Sequence, residues 1–334
     1  MPTMSIDRAR SLVESCMVEI GHTPSEAATI ADHILDCELR GLPFGGLARA
    51  QSIVERIRAT PGERTPIAVV RESPVSAALD GGDQVGYLVA RRATEIALEK
   101  ARAHGLAIVG AHNTWYTGMF SYYLEIVTAA GFAGMAAGSA AQIVAPHGGA
   151  QGRFGTNPIA FGFPSRDQPV IWDIGTSAVM HGEVVLSRRL GRPLDDGLAF
   201  DRDGHPTTDP AAALAGALTV WGGHKGSGLA MAVQLLGMLC GAAAAPVGVS
   251  DVGFFLLVVD PELLSSGEDY RRRVSDYAEG VRATRPLDPR RPVRVPFDRS
   301  AATRRATLAA GEIEVAAEVL AALEQVAGAT SRAR

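Results

Sequence analysis

The run Trp221-Gly222-Gly223-His224-Lys225-Gly226-Ser227-Gly228-Leu229 sets four glycines and one lysine directly before the apolar stretch LAMAVQLLGMLCG. Glycines let backbone approach a ligand closely, and the first turn of a helix offers unpaired N–H groups to an anion. A lysine beside them adds a mobile positive charge suited to phosphate or carboxylate. The order is not that of a Walker A loop. Taken alone, the run is either a ligand loop or a tight turn before a buried helix. Three more loops collect small donors: Ala145-Pro146-His147-Gly148-Gly149, Gly155-Thr156-Asn157-Pro158 and Trp172-Asp173-Ile174-Gly175-Thr176-Ser177. Small donors at strand ends commonly hold a nucleotide or an oxyanion. Ordinary turn chemistry accounts for any one of these loops; four in order call for a shared site. His112 and His147 stand in loops beside strands. Asp173 follows Val-Ile-Trp and reads either as a cap or as a buried carboxylate orienting a donor. Tyr122 and Tyr123 read as packing residues, and Arg271–Arg273 as a solvated helix face.

Elements must hold these loops in place. Ser5 caps a helix with apolar Ala9, Leu12, Val13, Cys16 and Ile20 on one stripe, stopped at Gly21. Thr23-Pro24-Ser25-Glu26 opens a second helix running to Arg40, and a third spans 47–59. Extended pieces are expected at 66–71 and 75–80. Helices at 87–104 and 118–130 then alternate with short apolar strands at 106–110, 132–137, 158–163 and 170–173. A helix at 229–241, a buried strand at 252–259 and helices at 268–284 and 312–326 complete the chain, the last two separated by a Pro/Arg-rich loop. Alternating helices and buried strands without a Gly-x-Gly-x-x-Gly fingerprint predict a three-layer α/β fold with a mixed sheet, non-Rossmann, with helical N-terminal and C-terminal segments. Residues 76–251 are expected to form one part, which carries the ligand loops, and residues 1–75 with 252–334 the other.

Composition narrows the classes. The chain has 334 residues, 47% apolar and 20% charged, with net charge −4, which gives no electrostatic case for nucleic acid or an anionic membrane. Cys16, Cys37 and Cys240 form no metal-ligand spacing and no disulfide framework; they read as buried small hydrophobes in a reducing compartment. No signal-peptide core and no convincing membrane span are found. A cytoplasmic protein without a metal site is expected.

The ordered set APHGG, GTNPIAFGFP, WDIGTSAV, GRPLDDGLAFDRDGHPTTDP and GGHKGSGLAMAV resembles the type-2 malate/L-lactate dehydrogenase family, which includes sulfolactate and ureidoglycolate dehydrogenases and piperideine/pyrroline-carboxylate reductases. The resemblance spans almost the whole chain. It implies a sulfolactate-dehydrogenase-like fold, a homodimer, and hydride transfer between NAD or NADP and a small 2-oxo acid, 2-hydroxy acid or cyclic imino acid. NADPH is slightly favoured, although the arginines at 290, 291 and 294 that could meet its phosphate also fit an exposed loop. By resemblance, Asp173, Ile174, Gly175, Thr176, Ser177, Lys225 and Gly226 line the cofactor, with Pro296, Asp298 and Arg299; Thr156, Asn157 and Pro158 share the cleft. Arg49 matches the family arginine that faces the substrate carboxylate, a role suited to a bidentate fork.

The departures are instructive. Where the family reads Arg-Gly-x-x-Ser-His-Gly-x-x-Arg, this chain has Phe44 for the serine and Gly45 for the catalytic histidine. A second family histidine aligns with Tyr116, a lysine with Glu183, and Pro-Gly-Glu with Pro296-Phe297-Asp298. Phe44 makes the substrate end more apolar. Tyr116, His147 or a water held by Asp173 is then the expected source of the proton that hydride transfer to a carbonyl requires. An already protonated imine needs less help. The expected function is reduction of a small imino acid or 2-oxo acid; a non-redox enzyme on the same scaffold and an inactive binding protein are the alternatives.

Overall fold

The computed structural model describes residues 2–60, 62, 64–246 and 248–331. Strand β1 (Thr3–Ser5) leads into helices α1 (Ile6–Glu19), α2 (Pro24–Leu39) and α3 (Leu47–Ala59). Ser5 Oγ accepts from the Arg8 N–H at 3.2 Å, and Thr23 with Glu26 closes a reciprocal capping box, so both helix starts follow from capping chemistry legible in sequence. A hairpin of β2 (Ala68–Ser73) and β3 (Ser76–Val85) precedes α4 (Gly86–His104), β4 (Leu106–Trp115), α5 (Phe120–Ala129) and β5 (Ala133–Gly138). The hairpin β6 (Ile159–Phe163) and β7 (Val170–Ile174) follows, then α6 (His181–Arg189), β8 (Ala199–Phe200), α7 (Pro210–Ala215), β9 (Ala217–Leu218) and α8 (His224–Leu239). The chain ends with β10 (Phe254–Val259), α9 (Gly267–Arg282), α10 (Asp298–Ala310), β11 (Glu312–Glu314) and α11 (Ala317–Ser331).

The main sheet has seven strands in the order β2-β3-β4-β10-β5-β6-β7. Of its pairings, β3–β4 is parallel and the rest are antiparallel, so the sheet is mixed, as expected, and not of the parallel dinucleotide type. Strand β10 shows why both faces must be covered. Phe254, Leu256 and Val258 join the core under α4 and α5, whereas Phe255 and Leu257 join the core under α8. This is the period-two alternation of a strand buried on both sides; each fully buried side chain of this size contributes roughly 1.5–3 kcal/mol. A third apolar cluster joins Val13, Cys16 and Met17 of α1, Ile30 and Ile34 of α2, Ile53 of α3 and Val319, Leu323 and Val326 of α11. The three cysteines are buried and unpaired, and no described helix is long and apolar enough to cross a membrane.

Several boundaries differ from expectation. Helix α8 begins at His224, so the lysine segment is its first turn and not a loop ahead of it. Glycines at 226 and 228 depress helix propensity, but packing overrides it: a Cβ on Gly226 would lie 1.6 Å from the Trp221 carbonyl oxygen. The last helix is shifted to 317–331 because 312–314 pairs with β1. Strand β4 runs on to Trp115 across an irregularity opposite Asp80–Gln84, where Asn113 adopts φ 52°. Strand β10, expected beyond a division at residue 252, lies in the middle of the sheet. Helices α6, α7 and α10 were not expected; they are short or polar on most sides, and carry no strong apolar stripe.

Candidate active site

Two clusters of candidate residues are joined by one segment of chain. The first cluster surrounds Arg49 on α3. Its guanidinium carbon lies 4.2 Å from the centre of the Tyr116 ring, an Arg–aromatic stack of the kind worth about 0.5–2 kcal/mol. Its Nη2 is so close to the backbone of Gly182 that a Cβ there would sit 2.6 Å away, and the Phe44 ring would lie 3.1 Å from the same point. Among the described residues Arg49 has no acidic partner. A half-buried cation on an aromatic platform, left without a counter-charge, has the chemistry to accept a small carboxylate.

The start of α3 is itself built. Gly46 caps it without a side chain, and the buried Glu38 carboxylate accepts from the Leu47 N–H at 2.7 Å. Burial pushes Glu38 up to about 7 despite that hydrogen bond. A Cβ on Gly46 would overlap the Glu38 carboxylate at 2.3 Å, and one on Gly45 would stand 3.2 Å from Cys37 Sγ. The absence of a histidine at 45 is therefore matched by tight packing.

The second cluster lies around the N-terminus of α8. Thr176 donates through both its N–H and its hydroxyl to the Thr156 carbonyl, at 2.9 and 3.1 Å. The Trp221 N–H in turn donates to the Thr176 carbonyl at 2.8 Å, and Ser177 bridges to Val220. Fully buried Asn157, at φ 36°, donates to the Ala230 carbonyl and Gln234 Oε1 and accepts from the Ala140 N–H. The Pro158 carbonyl accepts from Gly138, and Ile174 packs under α8. His147 lies beside this helix start: its N–H donates to Ser227 Oγ at 3.2 Å, and its ring is 6.3 Å from that of His224. Lys225 is exposed and has no acidic partner among the described residues. The first-turn N–H groups of a 16-residue helix, an uncompensated lysine and the Gly222–Gly223 backbone at φ 65° and 60° form a donor set that fits a pyrophosphate-bearing nucleotide.

The segment 175–183 runs from the second cluster to the first. Met180 packs its sulfur against Gly175, where a Cβ would lie 2.3 Å from it. Glu183 Oε2 accepts from the Met180 N–H at 2.9 Å, so this glutamate closes the first turn of α6. That turn presents His181 beside Arg49. Burial, reinforced by the Arg49 charge, pulls His181 down to about 4. Sequence reading passed over this histidine; its only sequence signal is its place right after the Thr-Ser loop, and its neighbours come from distant parts of the chain.

Other expected site residues have structural partners. Asp173 Oδ2 accepts from the Ser121 N–H at 2.7 Å and so caps α5, whose own cap residue supplies no side chain; burial nonetheless raises it above the usual carboxylate range. Asp298 is paired with Arg282 at 2.8 Å and accepts from Gln168 and the Val295 N–H. Arg299, exposed like Pro296, lines a separate cleft of about 640 Å³ with Arg40, Phe44, Glu183 and Arg192. His112 lies inside the fold against Gly241, away from Arg49. Tyr123 is fully buried and donates to the Thr117 carbonyl at 2.9 Å. The arginines at 271–273 pair with Glu268, Asp269 and Asp276 on their own helix.

A family model described as malate/L-lactate dehydrogenase matches residues 4–324. The chain belongs to the malate/L-lactate dehydrogenase family. The L-sulfolactate dehydrogenase of Methanothermobacter thermautotrophicus is 33% identical over 274 residues, covering 79% of this chain and 80% of that protein. Among solved structures, a dehydrogenase from Sinorhizobium meliloti superposes with TM-score 0.89 at 31% identity, covering 98% of each chain. The delta1-piperideine-2-carboxylate reductase of Pseudomonas syringae pvar. tomato superposes with TM-score 0.85 at 28% identity, over 98% of this chain and all of that one (100%). This family member is accordingly an NAD(P)-dependent oxidoreductase with the mixed-sheet fold of the sulfolactate and malate dehydrogenases.

Proposed function

We propose that this enzyme moves a hydride between NAD(P) and a small 2-oxo acid, 2-hydroxy acid or cyclic imino acid whose carboxylate lies on Arg49. The observation that carries the reading is the unpaired guanidinium of Arg49, stacked on Tyr116 and walled by Phe44, at one end of a segment whose other end is bonded to the start of α8. NAD(P), when bound, supplies the hydride acceptor or donor. The protein contributes the rest. Lys225 and the first-turn amides of α8 hold the anionic part of the cofactor, with the 156–158 and 173–177 backbone fixing that helix in place, and Phe44 keeps the substrate end apolar. The likeness to a piperideine-carboxylate reductase supports keeping cyclic imino acids beside 2-oxo acids.

The test is consumption of reduced cofactor, NADH and NADPH in turn, with panels of 2-oxo acids and cyclic imino acids. Turnover of either panel is expected, and silence in both would overturn the reading. Arg49→Lys removes the bidentate fork but keeps the charge. Since a hydrogen bond to a charged group contributes roughly 1.5–3 kcal/mol, KM for the acid should rise about 10- to 100-fold with little change in cofactor affinity. An unchanged KM would take the carboxylate away from Arg49.

The reading extends to assembly. Helix α8 turns Met231, Leu235, Met238 and Leu239 to solvent, exposed by 55, 56, 41 and 74%. An apolar stripe of this kind is expensive on a monomer and suits a self-complementary twofold contact. We therefore expect a homodimer in sedimentation, and Leu235→Glu should yield a monomer that keeps its fold. A wild-type monomer at micromolar concentration would exclude this contact.

A further inference from the structure

We propose that His181 is the proton-transferring residue of the substrate site, acting on the hydroxyl or carbonyl oxygen of an acid held by Arg49. The inference rests on the functional reading above and assigns the step that reading leaves open. Gly45 and Tyr116 supply no imidazole beside Arg49. His181 supplies one from a third place.

The geometry is specific. His181 is the first residue of α6, and the next residue, Gly182, lies against the Arg49 guanidinium and the Phe44 ring. Six residues earlier, Gly175 begins the stretch bonded through Thr176 and Ser177 to the 156 loop and to Val220–Trp221. One short piece of chain thus spans the cofactor side and the carboxylate side, with an imidazole at its substrate end. The ring makes no hydrogen bond among the described residues, so both nitrogens remain available. The charge that acts on it is that of Arg49 from α3; Glu183 on its own helix has its carboxylate engaged by the Met180 N–H.

The step balances as follows. In oxidation, the hydroxyl proton of the 2-hydroxy acid passes to an imidazole nitrogen of His181. The O–H electron pair forms the carbonyl π bond, and oxidised NAD(P), when bound, would accept the C2 hydrogen with its electron pair. In reduction the imidazolium returns the proton to the nascent alkoxide. Burial and the Arg49 charge keep the imidazole neutral, which is the form needed to accept a proton. A substrate carboxylate compensates Arg49, so the imidazolium becomes easier to form when an acid is bound. An alcohol lacking the carboxylate loses both its anchor and its base.

Tyr116 has a different part in this arrangement: its ring supports Arg49. Tyr116→Phe keeps that ring and should keep the acid limb of the pH profile, which the His181 variants lose. His181→Asn and His181→Ala should each lower kcat by roughly 10²-fold or more, remove the acid limb of the pH profile, and leave binding of reduced cofactor unchanged, which also reports an intact fold. An independent readout needs no cofactor. In NMR titration, adding pyruvate to the apoprotein should raise the His181 pKa by on the order of one unit, and the rise should vanish in Arg49→Met. Wild-type turnover with unaltered kcat in both His181 variants, or an imidazole indifferent to the carboxylate, would overturn the assignment. A wild-type enzyme inactive on every acid, with the pyruvate shift still present, would overturn the functional reading and the proton-transfer role with it.

Discussion

Gly226→Ala will weaken binding of reduced nicotinamide cofactor by roughly 10²-fold or more and lower Tm by about 4 °C. Helix propensity alone predicts the opposite sign, since alanine inside a helix is favoured over glycine by about 1 kcal/mol. Sterics decide the outcome. The added methyl would occupy a point 1.6 Å from the Trp221 carbonyl oxygen and 2.8 Å from its carbon. Neither atom is the yielding end of a side chain, because Trp221 is bonded through its N–H to Thr176. The first turn of α8 must therefore move, and its amides lose their common aim. Losing one or two charge-assisted hydrogen bonds of about 1.5–3 kcal/mol each gives the stated loss of affinity. A structural cost of about 3 kcal/mol gives the Tm shift, taking the usual unfolding entropy per residue over this length. Calorimetric titration and thermal unfolding of the variant check both; wild-type values in both would show that the turn can relax locally.

Arg40→Met should destabilise the protein by about 3 kcal/mol while leaving the substrate panel unchanged. The Arg40 side chain is fully buried, bonded to Asp36 at 2.6 Å and to Glu125 at 2.5 Å, with the Phe297 ring 4.7 Å from its guanidinium carbon. Methionine replaces the volume but leaves Asp36 buried beside Arg304 alone. Removing one partner of a buried ion pair costs about 3–5 kcal/mol; the residual Arg304 contact places the estimate at the lower end. The network ties α2, α5 and α10 together, so denaturant unfolding should show the loss without a change in slope. Adding Asp36→Asn to the variant should recover part of the stability; no recovery would mean that the stack on Phe297, and not the uncompensated charge, sets the cost.

Much of the scaffold was legible because its signals are local. Ser5 and the Thr23–Glu26 box announce two helices within four residues of chain, and the run Gly253-Phe254-Phe255-Leu256-Leu257-Val258-Val259 fits little other than a strand covered on both faces. The start of α8 was misplaced for a physical reason: glycines read as loop wherever a close backbone approach, invisible in one dimension, is what demands them. The site divides the same way. Arg49 was singled out through the family resemblance, and the 173–177 loop through its place in the ordered series of motifs. The stack of Arg49 on Tyr116, the pairing of Asp298 with Arg282 and the placing of His181 depend on elements 16 to 132 positions apart in sequence, and no local pattern encodes them. Asp173 illustrates the limit: both of its sequence readings were sound, and only the position of Ser121 on α5 decides what its carboxylate touches.

The pairing of β1 with β11 and the seating of α11 on α1 have a consequence for biosynthesis. A ribosome releases α1, α2 and α3 early, yet Val13, Cys16 and Met17 are buried against Val319, Leu323 and Val326, which are made long after them. The same holds for the sheet, whose central position stays empty until Phe254–Val259 has been made. The nascent chain must therefore carry two open apolar surfaces through nearly the whole of translation, with strand edges of β4 and β5 waiting between them. Such long-range closure makes folding slow in character, and it makes α11 the piece whose arrival completes the helical core.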